Sequence, residues 1–231
     1  MMNNLIFNLI SLARTGGNPM TLIQQMAGRD PRAQQALKMV QGKTPDQLRQ
    51  MGVNRPTHVF VQAGVGSLAG AVVGYFTNLF PNDPPKFVVV EARAADCLYQ
   101  GALAGDGNPR IVSGDLQTIM AGLACGEPNI LSWDILRNHV SAFVSCPDWV
   151  SARGMRMLGV PVKGDPTVIS GESGAVGMGL LAAIMETDEY KDLRDYLGLD
   201  RFSQVLLFST EGNTDPMKFR KVLWDGEYPT V

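Results

Sequence analysis

From Pro56 onward, short β-rich apolar runs alternate with stretches of helical pattern, and that alternation leaves few folds open to the chain. The runs HVFVQ, KFVVVE, SAFVSC, PTVIS and QVLLFST are apolar almost throughout, as strands covered on both faces must be. Helical stretches separate them at 69–76, 116–125, 133–140, 147–158, 174–185 and 216–223. Strand and helix in alternation predict an α/β fold: a mostly parallel sheet with helices on both faces. Its strands should start near Val59, Phe87, Ala142, Thr167 and Val205. Ligands of such sheets sit beyond the strand C-termini, so the informative residues should follow each strand directly.

Residues 1–55 read differently and are expected to form a short helical N-terminal segment, with 56–231 as the α/β domain. Asn18-Pro19, Asp30-Pro31 and Thr44-Pro45 each place a side-chain acceptor at a helix cap and a proline at the first helical position. Thr44 and Gln47 complete a capping box, Gly42 is placed to stop the preceding helix, and Leu5, Ile6, Leu9 and Leu12 form a helical stripe near the start. Gly42-Lys43-Thr44 looks like the end of a nucleotide P-loop, but the motif's first glycine and the strand before it are missing.

Charge excludes some functions. Twenty Lys and Arg against 22 Asp and Glu give a formal charge of -2, so there is no basic field for nucleic acid or an acidic membrane. The N-terminal apolar run has no preceding Lys or Arg and no clear cleavage site, and no apolar run approaches the ~20 residues of a membrane span. The three cysteines, Cys97, Cys125 and Cys146, are too few and too scattered for a disulfide framework or a zinc site. A cytoplasmic, reducing location is expected.

The stretch HVFVQAGVGSLAGAVVGYF passes from a strand through a glycine-rich turn into a helix of small residues. Backbone N–H groups and the positive end of a helix dipole can converge there on an oxyanion, with Ser67 as an added hydroxyl donor. The spacing also fits a dinucleotide fingerprint, because Gly64, Gly66 and Ala69 match G-x-G-x-x-A and Glu91 ends the next strand, where a ribose-binding acid would sit. Local pattern leaves both owners of the phosphate open, and an unliganded turn besides.

The segments VVVEARAADCLYQGALAGDG, GDLQTIMAGLACGEPNILSWDIL, CPDWVSARGMRMLG, SGESGAVGMGLL and LLFSTEGNTDP together resemble the C-terminal half of the diaminopropionate ammonia-lyases. These are pyridoxal-phosphate enzymes of the tryptophan-synthase-β (fold type II) superfamily, and the resemblance covers essentially all of 56–231 but leaves the helical segment 1–55 unrelated to the family. It implies pyridoxal 5'-phosphate as cofactor, a small amino acid as substrate, and the homodimer usual in the family. By the same resemblance Gly64, Val65, Gly66, Ser67 and Leu68 form the cofactor-phosphate cradle. Ser209, with Thr210 as the close alternative, supplies the hydroxyl that bonds the pyridine nitrogen. A neutral hydroxyl there leaves the ring a weaker electron sink, which suits loss of a β leaving group. Glu172 matches an acid near the cofactor in related dehydratases and racemases, although a helix N-terminal acid complementing the dipole explains it equally. Related serine racemases bind a divalent ion through a motif like 91–97, but Cys97 stands where a carboxylate is needed. No metal is therefore expected, and Glu91, Asp96 and Cys97 are read as structural. His58 and His139 have no acid-base partner nearby in sequence.

The lysine that tethers the cofactor in this family belongs to a segment upstream of the cradle. None of Lys38, Lys43, Lys86, Lys163, Lys191, Lys218 or Lys221 stands in its context. The resemblance thus implies the cofactor half of an α,β-elimination that converts 2,3-diaminopropionate to pyruvate and ammonia, inactive alone, from a truncated or fused reading frame. Two other readings remain at this point: a nucleotide-binding oxidoreductase built on Gly64, Gly66, Ala69 and Glu91, and a non-catalytic remnant whose helical head binds a partner.

Overall fold

In the computed structural model, which describes residues 6–9 and 19–230, a five-stranded sheet is covered by helices on both faces. Strands β2 (His58–Gln62), β3 (Lys86–Ala92), β4 (Ala142–Cys146) and β5 (Val205–Leu207) run parallel, as the apolar runs predict. The order across the sheet is β1-β4-β3-β2-β5, where β1 is Ile6–Leu9. The chain steps from β2 through β3 to β4 on one side, then returns to place β5 on the other side of β2. That reversal is a topological switch point at the C-terminal end of β2.

The two-residue period of the strands divides the core between the faces. Val59, Val61, Phe87, Val89 and Phe143 pack beneath α1 (Pro19–Arg29), α2 (Pro31–Gln50), α3 (Ser67–Leu79), α4 (Cys97–Ala104) and α5 (Ile130–His139). Phe60, Val88, Val90, Ala142 and Val144 face α6 (Asp148–Gly159), α7 (Glu172–Glu186) and α8 (Lys191–Leu197). Burying a side chain as fully as Phe60 contributes roughly 1.5–3 kcal/mol. Helix α9 (Pro216–Leu223) lies outside, sending Val222 into a small cluster with Ala152, Met155 and Ala175.

Helices α6 and α7 meet backbone to backbone. A Cβ on Gly154 would stand 2.0 Å from the Ala175 carbonyl oxygen, and one on Gly179 would stand 1.8 Å from that of Val150. Only hydrogen fits at either position, which fixes the helix pair and with it the start of α7 near the switch point.

Four local expectations are corrected. Ile6 to Leu9 form a strand antiparallel to β4 instead of part of a helical stripe; four residues cannot hold a helix unaided, whereas the open edge of β4 offers them partners. Leu5, Leu12 and Asn18 lie outside the described residues. Helix α2 runs straight through Gly42, Thr44 and Pro45, so the third helix start is not used. An interior proline costs about 3 kcal/mol, and the burial of Val40, Thr44 and Leu48 on one side of α2 outweighs it. The stretch 116–125 is irregular apart from a 3-10 turn at Ala121–Leu123, with Leu116 at φ 50°. PTVIS is not a strand: it runs alongside α6, where the Val168 N–H donates to the Leu158 carbonyl at 2.9 Å.

No helix among the described residues is long and apolar enough to cross a membrane.

Candidate cofactor-phosphate site

The site forms where β2 ends. Ala63 still donates to the Val90 carbonyl at 2.8 Å, continuing the ladder by one residue, and then the chain turns at Gly64–Val65–Gly66. Gly66 has φ 95°, the left-handed region, so a residue without a Cβ is needed to pass directly from turn to helix. Gly64 faces the 3-10 turn closely: a Cβ there would lie 3.4 Å from the Gly122 oxygen and the Leu123 Cα. The Val65 carbonyl accepts from the Asn129 N–H at 2.8 Å, which ties the turn to the N-cap of α5. The N-cap residue of α3 is Gly66, which has no side chain to cap the helix, and a helix N-terminus of this kind suits an anion. The backbone fits a phosphate.

Opposite this turn lies the segment after β5. Gln62, only 2% exposed, joins the two sides by donating through Nε2 to the Phe208 carbonyl at 2.8 Å and to Thr210 Oγ1 at 2.7 Å. Together these walls enclose a cavity of about 300 Å³, small but within reach of a cofactor-sized ligand. Thr210 lines it together with 64–68, Cys125, Ser173 and Glu211. Ser209 does not: its hydroxyl pairs with Ser170 Oγ at 3.0 Å and it lines a separate cavity of about 710 Å³ beneath α2. Successive residues of an extended segment point to opposite sides, so of the two hydroxyls considered only Thr210 reaches the cradle.

Glu172 lines a neighbouring cavity of about 600 Å³ with Lys218 and Asp215. Burial pushes its carboxyl above the usual range, with the charges of Glu211 and Asp215 adding to the effect. The acid that does border the cradle cavity is Glu211. Its Oε1 accepts from the Ser173 N–H and, at 3.3 Å, the Gly174 N–H, so it caps α7 from across the cleft. Glu211, Ser173 and Cys125 were not anticipated; Glu211 follows Ser209 and Thr210 directly, and its position just past a strand end was the available signal.

Asp30 was read as a helix cap, and its carboxylate turns toward the cradle. Ser67 Oγ donates to Asp30 Oδ2 at 2.6 Å, and Asn129 Nδ2 lies 3.4 Å from the same oxygen. The Ser67 hydroxyl hydrogen is therefore directed to Asp30 and not into the cavity.

Glu91 is fully buried and accepts from the N–H groups of Leu98 at 2.9 Å and Tyr99 at 2.6 Å, capping α4 from inside. Burial raises its carboxyl well above the ordinary range. A ribose cannot reach it, which removes the acid that the dinucleotide reading required. Asp96 accepts from Ser145 Oγ at 2.7 Å, and burial pushes the Cys97 thiol up. Among the described residues no group of three or more His, Cys, Asp and Glu could hold a metal ion. His58 sits at the start of β2, away from the cleft, with Nε2 2.8 Å from the Leu197 carbonyl. His139 is at the C-terminal end of α5.

The likeness to known proteins falls on this same region. A family profile described as "Pyridoxal-phosphate dependent enzyme" matches residues 17–193. The chain is 50% identical over 182 residues to a diaminopropionate ammonia-lyase of Salmonella typhimurium, covering 78% of this chain and 45% of that one. It is 49% identical over 183 residues to the diaminopropionate ammonia-lyase of Escherichia coli K12, covering 79% and 45%. The chain spans less than half the length of these curated relatives. A crystal structure of the Escherichia coli lyase in complex with an aminoacrylate-PLP azomethine reaction intermediate matches with a TM-score of 0.74 at 46% identity, over 83% of this chain and 48% of that one.

Proposed function

The chain belongs to the pyridoxal-phosphate-dependent enzyme family, and from that premise we propose that it carries the cofactor-phosphate half of a diaminopropionate ammonia-lyase. The observation that carries this reading is the glycine turn 64–66 at the start of α3, which lines one switch-point cavity together with Thr210. When bound, pyridoxal phosphate supplies an electron sink for bonds broken at a substrate's α carbon.

The residues of this chain have positional roles in the proposal. Gly64, Val65, Gly66, Ser67 and Leu68 hold the phosphate through backbone N–H groups, each charge-assisted bond contributing about 1.5–3 kcal/mol. Thr210 presents a neutral hydroxyl toward the ring, in preference to Ser209. Gln62 holds Thr210 in place, and Glu211 fixes the start of α7. Glu172 stays in the adjoining cavity, so its part is structural. The substrate is 2,3-diaminopropionate and the reaction its α,β-elimination to pyruvate and ammonia, in an assembly that also supplies a lysine, because no lysine among the described residues lines the cavity. A homodimer and a cytoplasmic location belong to the same proposal; the free thiols Cys97, Cys125 and Cys146 suit a reducing compartment.

The test is a titration of the purified chain with pyridoxal phosphate, followed by tryptophan fluorescence, alongside pyridoxal and a nicotinamide dinucleotide. Saturable binding that requires the phosphate and is lost in Gly66→Val supports the proposal. Binding of the dinucleotide alone overturns it.

A further inference from the structure

We infer that the cavity beside the cradle, lined by Glu172 and Asp215, is a binding site for a primary ammonium group. In the cradle proposal Glu172 serves only as the first residue of α7, so its carboxylate has no task there. Glu172 is 9% exposed, yet its own N–H is the one donor to its carboxylate among the described residues. An ionised carboxylate can accept about four hydrogen bonds, and burying it with most of them unmade is costly. The missing donors have room to enter, because the cavity holds about 600 Å³.

Charge sets the sign of the ligand. Asp148, Glu172, Glu211 and Asp215 line the cavity against one cation, Lys218. Three of these acids accept from neutral neighbours: Asp148 from the Thr118 hydroxyl at 2.5 Å, Glu211 from the N–H groups at the start of α7, and Asp215 from the Lys218 N–H at 3.0 Å. Such bonds leave the negative charge in place. Burial pushes the Glu172 carboxyl above its usual range, and the charges of Glu211 and Asp215 add to that, a combination that an incoming cation relieves. Lys218 does not supply that cation. Its Nζ lies 3.4 Å from Glu227 Oε2, 3.5 Å from the Tyr228 hydroxyl and 5.2 Å from the centre of the Tyr228 ring, and its pull on Glu172 is the weakest of those acting there.

A primary ammonium group meets both needs, since it brings a single positive charge and at least three N–H donors. A divalent ion does not, because no three His, Cys, Asp or Glu side chains among the described residues are grouped to hold one. A quaternary ammonium has the charge without the donors. Two sources present the right group: a free ammonium ion and the amine of a small amino acid. Glu211 lines both this cavity and the cradle, and the 3-10 turn Ala121–Leu123 gives Ala121 to the one and Gly122 and Leu123 to the other, so the two spaces share a wall.

The full chain, labelled for amide NMR, is titrated with ammonium, ethylammonium and tetramethylammonium chlorides and with 2,3-diaminopropionate, ionic strength being held with sodium chloride. Saturable shifts centred on Thr118, Glu172 and Asp215 are expected with ammonium and ethylammonium. Binding of tetramethylammonium should be at least about tenfold weaker, as the loss of one charge-assisted bond or more requires. Glu172→Gln keeps the size and removes the charge, and should weaken ammonium binding by a similar factor. A response that does not saturate, or an equal response to tetramethylammonium, overturns the inference on the unsubstituted chain alone, whether or not the variant folds. A folded Glu172→Gln that binds ammonium as tightly as the unsubstituted chain overturns it too. Saturation by ammonium but not by diaminopropionate supports the site with the free ion as its ligand, and saturation by both supports the amine of an amino acid. None of these outcomes bears on the cradle, whose test is the phosphate dependence of pyridoxal-phosphate binding.

Discussion

Gln62 at the end of β2 and Thr210 beyond β5 are joined by a 2.7 Å hydrogen bond that closes the switch point from beneath. The Gln62 amide is buried and also holds the Phe208 carbonyl, so both its hydrogens have acceptors. Thr210→Val removes one acceptor and leaves an N–H orphaned in the interior. That is expected to lower stability by about 1–3 kcal/mol and to weaken pyridoxal-phosphate binding, while Thr210→Ser retains both. Ser209→Ala should leave the affinity unaltered because that hydroxyl lies in another cavity. Denaturant unfolding and cofactor titration of the three variants provide the check. A larger loss of affinity in Ser209→Ala than in Thr210→Val would reverse the assignment.

The glycines of two helices should respond oppositely to alanine. At Gly179 a methyl group would collide with the Val150 carbonyl, and backbone cannot yield as a flexible side chain does. Gly179→Ala should cost about 3 kcal/mol or more, or prevent folding altogether. Gly42, inside α2, has no atom within 4 Å of a Cβ position. There alanine should stabilise by about 0.5–1 kcal/mol, since only the flexibility of the unfolded chain is reduced. A Gly179→Ala variant that melts no lower than the unsubstituted chain would contradict the packing of α6 on α7.

Burial lowers the pKa of His58 from 6.5, against the opposing pull of the Leu197 carbonyl and with help from Lys86. The folded protein thus favours the neutral imidazole, and the unfolded chain takes up the proton first as pH falls. The contribution is fully present above about pH 6.5 and is lost as pH descends through the lowered folded value. Across that range His58→Gln should lose less stability than the unsubstituted chain, and above it the difference between them should be constant. A difference that also fails to change between about pH 7 and pH 5 would show that His58 is not held neutral.

What was legible in the sequence was local. The β2–turn–α3 unit announces itself because a buried strand, two glycines and a small-residue helix each demand their own residue types within nineteen positions. Ser209 and Thr210 could be placed after a strand, but which one faces the cleft depends on strand phase, and both hydroxyls look alike in sequence. The helix break expected at Gly42–Pro45 lost to burial of Val40 and Leu48 against α3, a tertiary term that no cap motif reports. PTVIS has strand composition but no sheet edge to join, and Ile6–Leu9 found an edge at β4. Asp30 is separated from Ser67 by 37 positions, so its contact with the cradle follows only from how α1 and α2 pack.

The expected lack of activity follows from where the lysines are. Lys86 donates to the Leu197 carbonyl at 2.7 Å, at the N-terminal end of the strands, and Lys38, Lys163, Lys191 and Lys221 are exposed. Lys218 lines the cavity next to the cradle, with Nζ 3.4 Å from Glu227 and 3.5 Å from the Tyr228 hydroxyl. Partial burial works against its charge, but Tyr228 and Glu227 outweigh that and raise its pKa, so the neutral amine that an aldehyde needs is scarcer than in an ordinary lysine. Mixing the chain with pyridoxal phosphate and reducing with borohydride should label no lysine stoichiometrically. Pyruvate release from 2,3-diaminopropionate should not exceed that of the free cofactor. Labelling confined to one residue, abolished in Lys218→Met and accompanied by pyruvate at an enzymic rate, would mean that the neighbouring cavity supplies the tether. The chain would then be a complete catalyst and not the cofactor half of one.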